Sequence, residues 1–321
     1  MKRIFALILI LVLSLCLASC GKQEEKQLVI GFNTNNLTNE TMSFMVEVFQ
    51  KYCNENNIKF MLSQDEMDIA KIHSNLENFV AAGCDGIIFM NEDPVGIEPT
   101  VQMCKEKGVV VISYDEISEL ADYSFVCPNY DLGYAIGKMA AEWANGAIDD
   151  DEIVLGLMSG AFNEATVNRS KGITDGFLEN CPRGRVYDTP ATMPFDECFY
   201  NMLQAEPNLK ILSSLADSMV VAAAESWYGD LTGKGMDVSE YGVFSTDATD
   251  IALNLINKSK EGKSVMRGTI DLGLKDVVPL SMITACHKAI LGEPTGFEKL
   301  SYYNIKYVTA ANIDEYSQFF D

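Results

Sequence analysis

The sequence has few of the side chains with which enzymes carry out chemistry at neutral pH. Its 321 residues include only two histidines, His73 and His287, and both lie in stretches whose apolar spacing predicts helices. Nine cysteines are present, but no C-x-x-C pair occurs among them, so neither a zinc site nor a disulfide scaffold is indicated. No segment completes a phosphate-binding loop or a nucleophile elbow. We therefore expect a binding protein rather than an enzyme, without a metal or a cofactor.

Positive charge is also scarce. The chain carries 24 Lys and Arg residues against 46 Asp and Glu residues, and its formal net charge is −22. Proteins that bind nucleic acid need a basic surface, and adsorption to anionic lipid needs basic clusters. The composition argues against both kinds of partner, and high solubility accounts for the excess of acidic residues.

Long apolar runs are missing everywhere except at the N-terminus. Lys2 and Arg3 precede an apolar run over residues 4–17, which is shorter than the roughly 20 residues that a membrane-spanning helix needs. A basic start, an apolar run and small residues in that order predict an export signal over residues 1–19. The polar residues 20–27 predict a flexible tether.

The end of the export signal, L-A-S-C at residues 17–20, resembles the lipobox of bacterial lipoproteins. This resemblance implies cleavage before Cys20 and a lipid on its thiol. The alternative is an ordinary signal peptide in which Cys20 is incidental. We expect an extracytoplasmic protein that is anchored to the cell membrane by the lipid on Cys20.

From Leu28 onward, short apolar runs alternate with amphipathic stretches. One predicted helix begins at Asp68 and ends at Gly83. Its apolar face is formed by Ile69, Ile72, Leu76, Phe79 and Val80. The alternation restarts after Asn129, and the last long helix is predicted over residues 273–291. Strands that alternate with helices indicate an α/β fold of two doubly wound parallel-sheet lobes.

The order of several motifs resembles that of the type I periplasmic binding proteins, in their ribose/galactose-binding group. The matching segments are L-V-I-G-F-N at 28–33, A-G-C-D-G-I-I at 82–88, G-V-V-V-I-S-Y-D at 108–115, N-Y-D-L-G at 129–133, R-S-K-G at 169–172 with G-F at 176–177, and the loops at 216–217 and 246–247. The resemblance implies a lipoprotein form of a solute-binding protein whose two lobes close about a three-strand hinge. It implies an N-terminal lobe of residues 28–127 plus 272–300 and a C-terminal lobe of residues 128–271 plus 301–321.

Ligands of parallel sheets bind beyond the carboxyl ends of the strands, and polar residues follow several of the predicted strands. With the family resemblance, these residues are candidate ligand contacts: Asn39, Asn91, Asp115, Asn129, Arg169, Asp217, Asp247 and Asp271. Taken without the family, each is a typical helix N-cap or turn residue. Asp115, Arg169 and Asp247 match the family pattern best.

The sequence departs from the family pattern at several of these positions. Glu116 stands where ribose binders have Arg, Ala216 replaces the usual Asn, and Thr246 replaces the usual Phe. The mapped pocket is therefore more acidic and less aromatic than that of a pentose binder. Such a pocket suits a sugar, a polyol, an amino sugar or another cationic solute.

Two functions agree with these expectations. The first is the capture subunit of an ABC-type importer, which acts as a monomer and delivers a small polar ligand to membrane permease subunits. The second is a ligand-sensing receptor module for a membrane kinase or chemoreceptor. A secreted enzyme on the same fold is a third interpretation, and it would show turnover rather than simple ligand binding.

Overall fold

The computed structural model describes residues 26–38, 40–161 and 163–320. Within these ranges the strands are β1 (Val29–Thr34), β2 (Lys59–Gln64), β3 (Gly86–Met90), β4 (Val110–Asp115), β5 (Tyr123–Val126), β6 (Ile153–Ser159), β7 (Gly184–Pro190), β8 (Ile211–Ser214), β9 (Gly242–Phe244), β10 (Met266–Asp271), β11 (Leu300–Tyr302) and β12 (Lys306–Thr309). The α-helices are α1 (Glu40–Glu55), α2 (Ile69–Ala81), α3 (Glu98–Glu106), α4 (Asn129–Ala147), α5 (Glu164–Asn180), α6 (Phe195–Ala205), α7 (Asp217–Gly233), α8 (Asp250–Ser259) and α9 (Val277–Ile290). Short 3₁₀ segments occupy Val238–Glu240 and Ile313–Phe319.

The strands form two six-stranded sheets that repeat one topology. The order is β2-β1-β3-β4-β5-β11 in the first sheet and β7-β6-β8-β9-β10-β12 in the second. All pairings are parallel except β10 with β12, which is antiparallel. We call the two halves the first lobe and the second lobe. The predicted α/β fold with two parallel-sheet lobes is confirmed.

Helices cover both faces of each sheet, because the central strands are apolar on both sides. In the first lobe, α1 and α9 pack on one face and α2 and α3 on the other. In the second lobe, β6 is buried along its whole length, and α6 contacts α7 through Phe199 and Trp227, whose ring centroids lie 5.2 Å apart. Both sheets are therefore doubly wound.

Helix α2 shows how local chemistry sets an element. The Asp68 side chain caps the helix by accepting the N–H of Ala70 at 2.9 Å. Ile72 and Leu76 lie on the predicted apolar face and are buried. Ile69, predicted on the same face, is 46% exposed because it is the first helical residue and lies at the outer edge of the sheet.

Helix α9 begins four residues later than predicted, at Val277 rather than at Gly273. Gly273 has a φ of 73°, which lies outside the right-handed helical region, and its N–H donates to the Asp271 carboxylate at 2.8 Å. The Asp276 side chain accepts the N–H of Val277 and caps the helix there. A tight turn therefore separates β10 from α9.

Three short segments carry the chain between the sheets: residues 127–128, 272–276 and 303–305. They follow β5, β10 and β11, and we call them the hinge. The predicted boundary at residue 300 falls inside the first sheet, because β11 pairs with β5 through Tyr302. Strands β5 and β11 had not been predicted, since runs of four and three residues carry too little periodicity.

The seven cysteines within the described residues are all buried and form no disulfide with one another. No helix in the described part of the chain has both the length and the apolar character needed to cross a bilayer. The predicted export signal, the predicted lipidation site Cys20 and most of the predicted tether lie outside the described residues.

Candidate functional site

The candidate site lies between the lobes, where loops follow the carboxyl ends of parallel strands. The lobes touch there, since the backbone N–H of Asp250 in the second lobe donates to Oε1 of Glu40 in the first at 3.0 Å. Glu40 begins the helix that follows β1, and Asp250 begins the helix that follows β9. We use the word cleft for the space between the two lobes that adjoins this contact.

Asp115 and Asp247 project from equivalent positions of the two sheets. Asp115 ends β4, the fourth strand of its sheet in chain order, and Asp247 follows β9, the fourth strand of the other. Both have positive φ values, 76° and 110°, which non-glycine residues seldom adopt and which often mark functional positions. Both are half-buried, and no other side chain of the described residues forms a hydrogen bond or an ion pair with either carboxylate, although the backbone N–H of Asp217 interacts with that of Asp247. Their oxygens are available to a ligand.

Arg169 of α5 reaches the cleft and is held there by four hydrogen bonds. Its Nε and one Nη donate to Oδ1 of Asn129 at 3.0 and 2.6 Å. The remaining contacts are from Nη1 to the backbone oxygen of Leu215 at 2.9 Å and from Nη2 to Sγ of Cys127 at 3.5 Å. An arginine has five N–H groups, so one of them remains for a ligand.

Glycines bring α5 close enough to α4 for this arrangement. A Cβ on Gly133 would lie 2.0 Å from the backbone oxygen of Arg169, and a Cβ on Gly172 would lie 2.2 Å from the backbone oxygen of Tyr130. Only a residue without a side chain permits such an approach. The glycines that carried the family resemblance therefore set the distance between the helix that begins at Asn129 and the helix that carries Arg169.

Asn129 links Arg169 to the first lobe. Its Nδ2 donates to Oε1 of Glu116 at 3.1 Å while its Oδ1 accepts from Arg169. Asn129 is buried and begins α4, directly after the first hinge segment. The three side chains form a chain of hydrogen bonds across the hinge, so Asn129 positions the two charged groups.

The surrounding protein raises the pKa values of the cleft carboxyls. Burial raises the pKa of Asp115, and the charge of Arg169 opposes that rise. Burial raises the pKa of Asp247 well above its ordinary value, with further contributions from the Asp217 and Asp115 carboxylates and opposition from Arg169. Asp115 and Asp247 therefore interact electrostatically across the lobes.

Two further carboxyls share this environment. Burial raises the pKa of Glu116 to about 7, and the charges of Asp115 and Glu164 contribute to the rise. Burial also raises the pKa of Glu92, where Asp65 and Asp115 act in the same direction. The cleft thus has more acidic groups than its single arginine can neutralise.

Three of the other predicted residues hold the loops in place. The Asn91 side chain donates to the backbone oxygen of Ile117 at 2.9 Å and accepts the N–H of Asp93 at 3.2 Å. The Asp271 carboxylate accepts the Gly273 N–H and the Tyr316 hydroxyl, both at 2.8 Å, and lies beside the hinge. Neither side chain is directed to a ligand in this arrangement.

Asp217 is the third of these residues, and it is completely buried. One carboxylate oxygen accepts the hydroxyls of Ser245 and Thr269, and the other accepts both the N–H and the hydroxyl of Thr249. Burial raises the pKa of Asp217 to about 6, while these hydrogen bonds act against that rise. The prediction that Asp217 contacts the ligand is therefore revised: it fixes the loop that presents Asp247.

The remaining predicted contact, Asn39, lies outside the described residues, as does Phe162, an aromatic candidate for stacking on a sugar. Trp227 lies in the core of the second lobe. It is 3% exposed and packs between Phe199 and Tyr241. Trp227 therefore offers no face to the cleft.

Sequence reasoning missed a polar network at the ends of β1 and β2. Asn33 donates to the buried Asp65 carboxylate at 2.7 Å, and Asn35 donates to Glu92 at 3.0 Å. These residues follow predicted strands, which was the available signal. Their pairing depends on the strand order, and a single sequence does not reveal that order.

Within the described ranges, no group of three or more His, Cys, Asp or Glu side chains is arranged to hold a metal ion. The two histidines lie on helices of the first lobe, where His73 contacts Thr100 and His287 contacts Tyr52. Neither lies next to a cleft residue named above.

Comparison with known proteins agrees with this architecture. A family model described as a periplasmic binding protein domain matches residues 30–273. No curated protein sequence matches significantly.

Several solved structures share the fold. An ABC transporter periplasmic solute binding protein from Actinobacillus succinogenes, solved with D-allose, has a TM-score of 0.76 and 19% identity over 90% of this chain and 100% of that one. A solute binding protein from Bacillus halodurans, solved with myo-inositol, has a TM-score of 0.76 and 21% identity over 93% and 100%. A carbohydrate transporter solute binding protein from Agrobacterium radiobacter, in complex with D-arabinose, has a TM-score of 0.75 and 16% identity over 92% and 98%.

Proposed function

Because this chain belongs to the periplasmic binding protein domain family, we propose that it captures a sugar or a polyol between its lobes and delivers it to an ABC-type importer. Members of this family bind solutes and do not catalyse reactions. The similar structures with known ligands hold D-allose, myo-inositol and D-arabinose, and all three are described as transporter components. Their descriptions favour transport over the sensory alternative.

One observation carries the proposal: Asp115 and Asp247 project from opposite lobes with uncommitted carboxylates. Carboxylates bind sugar hydroxyls well because each offers several acceptor positions. A ligand held by both residues joins the lobes, which is how a hinged receptor converts binding into closure. Arg169 supplies one further donor, and Asn129 and Glu116 hold it in place.

Thermal unfolding in the presence of D-allose, myo-inositol, D-arabinose and related sugars tests this function. A ligand at about 100 times its dissociation constant should stabilise the protein by about 2.7 kcal/mol. We expect Asp247→Ala to abolish the rise in melting temperature, because it removes one side of the site. The Asp247 carboxylate has no partner among the other side chains of the described residues, so the fold of the variant should remain intact.

Asp188→Ala is the matched control, because Asp188 is an exposed acidic residue on β7 of the same lobe. It should leave the ligand effect unchanged. Arg169→Ala is a poorer test than Asp247→Ala, since loss of its four hydrogen bonds would also loosen the hinge. Full ligand stabilisation in both Asp247→Ala and Asp115→Ala would contradict the proposed site.

The proposed location is the outer side of the cell membrane, with a lipid on Cys20. Support comes from the L-A-S-C sequence at residues 17–20 and from the periplasmic character of the family. Cys20→Ser should move the protein from the membrane fraction to the soluble exported fraction. A variant that stays with the membrane would show that the anchor is not Cys20.

A further inference from the structure

Among the described residues, the cleft has one cationic side chain and several carboxyl groups. Arg169 is the positive group that influences the cleft carboxyls, whereas Glu92, Asp115, Glu116 and Asp247 contribute negative charge. Lys275, in the turn before α9, is already paired with Asp250 and lies over the rings of Phe44 and Phe319. The charge of the site is therefore unbalanced in the direction of the anions.

The arginine has little capacity left for an acidic ligand. Four of its five N–H groups are committed to Asn129, Leu215 and Cys127. A carboxylate or a phosphate is recognised best by two parallel N–H donors of one guanidinium group, and these are not available here. Sugar acids and sugar phosphates therefore fit the site poorly.

Closure brings like charges together. Asp115 of the first lobe raises the pKa of Asp247 of the second, and Glu164 of the second lobe raises that of Glu116 of the first. Each interaction opposes ionisation and so opposes the closed state at neutral pH. A neutral ligand would leave this repulsion in place or would require the carboxyls to take up protons. A cation between the carboxylates would remove it.

We infer that the ligand of this cleft carries a protonated amine, as an amino sugar or an aminated polyol does, and that Asp115 and Asp247 bind the amine from opposite lobes. This inference rests on the proposed function and narrows its ligand class. An ammonium group offers three N–H donors, enough to reach both carboxylates at once. The hydroxyl groups of the same molecule remain for Asn129, Glu116 and the last N–H of Arg169.

The inference is tested with matched pairs of ligands at pH 6, where the amines are protonated. The pairs are D-glucosamine with D-glucose, D-galactosamine with D-galactose and D-mannosamine with D-mannose, each with its N-acetylated form as a neutral amide. Titration calorimetry of the purified protein measures the affinities. At least one amine should bind about tenfold more tightly than its neutral partners, because charge-assisted hydrogen bonds are about twice as strong as neutral ones.

A second readout is proton exchange. Binding of an amine should release protons from the carboxyls whose pKa the cleft raises, whereas a neutral sugar should release none. Calorimetry in two buffers of different ionisation enthalpy distinguishes these results. Asp247→Asn keeps the shape of the side chain and removes its charge, so it should bring the amine-to-neutral affinity ratio close to one. Asp188→Asn should leave the ratio unchanged.

Neutral sugars that bind as tightly as every amine would overturn the inference and leave the proposed function standing. An amine preference that survives in both Asp247→Asn and Asp115→Asn would also overturn it, because the amine would then bind elsewhere. Failure of all sugars and polyols, charged and neutral, would contradict the proposed function as well.

Discussion

The loops after β3 and β4 in the first lobe and those after β8 and β9 in the second lobe repeat one backbone arrangement. The N–H of Asn91 donates to the backbone oxygen of Tyr114 at 2.9 Å, and the N–H of Asp217 donates to that of Thr246 at 2.8 Å. In both lobes, the residue after the one whose oxygen accepts is an aspartate with positive φ: Asp115 follows Tyr114, and Asp247 follows Thr246. Equivalent strand order has therefore placed equivalent carboxylates on the two sides of the cleft.

The two lobes differ in what supports those carboxylates. Behind Asp247, the buried Asp217 accepts four hydrogen bonds. Behind Asp115, Asn91 makes two neutral bonds, and the hinge residue Tyr303 accepts the Asp115 N–H at 3.2 Å. The second lobe thus fixes its carboxylate internally, whereas the first lobe depends partly on the hinge. Movement of the hinge should therefore disturb Asp115 more than Asp247.

The largest loss of stability is expected when Asp217, the carboxyl that supports the Asp247 loop, is changed. Asp217→Asn replaces one of the two acceptor oxygens with an NH₂ group, so at least two of the four buried hydrogen bonds are lost or reversed, and it should lower the free energy of unfolding by about 3 kcal/mol. Asn91→Ala removes only neutral bonds and should cost about 1 kcal/mol. Urea unfolding of both variants measures the difference. Equal losses of unfolding free energy in the two variants would show that Asp217 and Asn91 support their loops to the same extent.

A smaller effect should follow from the close packing of α5 against α4 in the second lobe, which is the lobe of Asp247. Gly172→Ala forces α5 away from the backbone of α4 and should destabilise the protein by about 2 kcal/mol. Because α5 carries Arg169, ligand affinity should fall as well. Gly229→Ala is the control, since its Cβ would meet no atom within 4 Å on the helix α7, and it should stabilise by about 0.5 kcal/mol. Equal effects of the two changes would contradict close helix packing as the reason for Gly172.

The smallest effect concerns Glu116, which directly follows Asp115. The residue that directly follows Asp247 in the second lobe is Ala248. The pKa of Glu116 rises from 4.5 to about 7 on folding, so its contribution to stability is complete below pH 4.5 and is lost as the pH rises through 7. Glu116→Gln lacks this titration. Between pH 5 and pH 8, the difference between the unfolding free energy of Glu116→Gln and that of the unsubstituted protein should therefore increase by about 1 kcal/mol in favour of the variant. This figure is reduced to allow for solvent screening of the charge.

Urea unfolding at the two pH values checks this result. Glu206→Gln is a suitable control, because Arg185 lowers the pKa of Glu206 and this carboxyl stays ionised from pH 5 to pH 8. Its effect should be the same at both pH values. If the effect of Glu116→Gln were independent of pH, the pKa of the Glu116 carboxyl beside Asp115 would not be raised in the folded protein.

The alternation of strands and helices, the restart after Asn129 and the polar residues after β4 and β9 were all predictable from the sequence. Apolar periodicity and glycine positions are local properties, and they define elements without reference to the rest of the chain. The positions of Asp115, Asn129, Arg169 and Asp247 followed from those elements together with the family resemblance. The sequence by itself therefore determined the fold class and the chain segments from which a site could be built.

Tertiary structure alone decided which of those side chains remain uncommitted. Asp217 and Asp247 both follow strands of the same lobe, but three hydroxyls, from the residue after β9, from β10 and from the N-cap of α8, converge on Asp217, whereas no other side chain pairs with Asp247. Likewise, Asn129 lies between Glu116 and Arg169 because glycines on two helices allow their backbones to touch. Hydrogen-bond partners distant in sequence and like charges on opposite lobes are set by long-range packing, which the local pattern of one sequence does not contain.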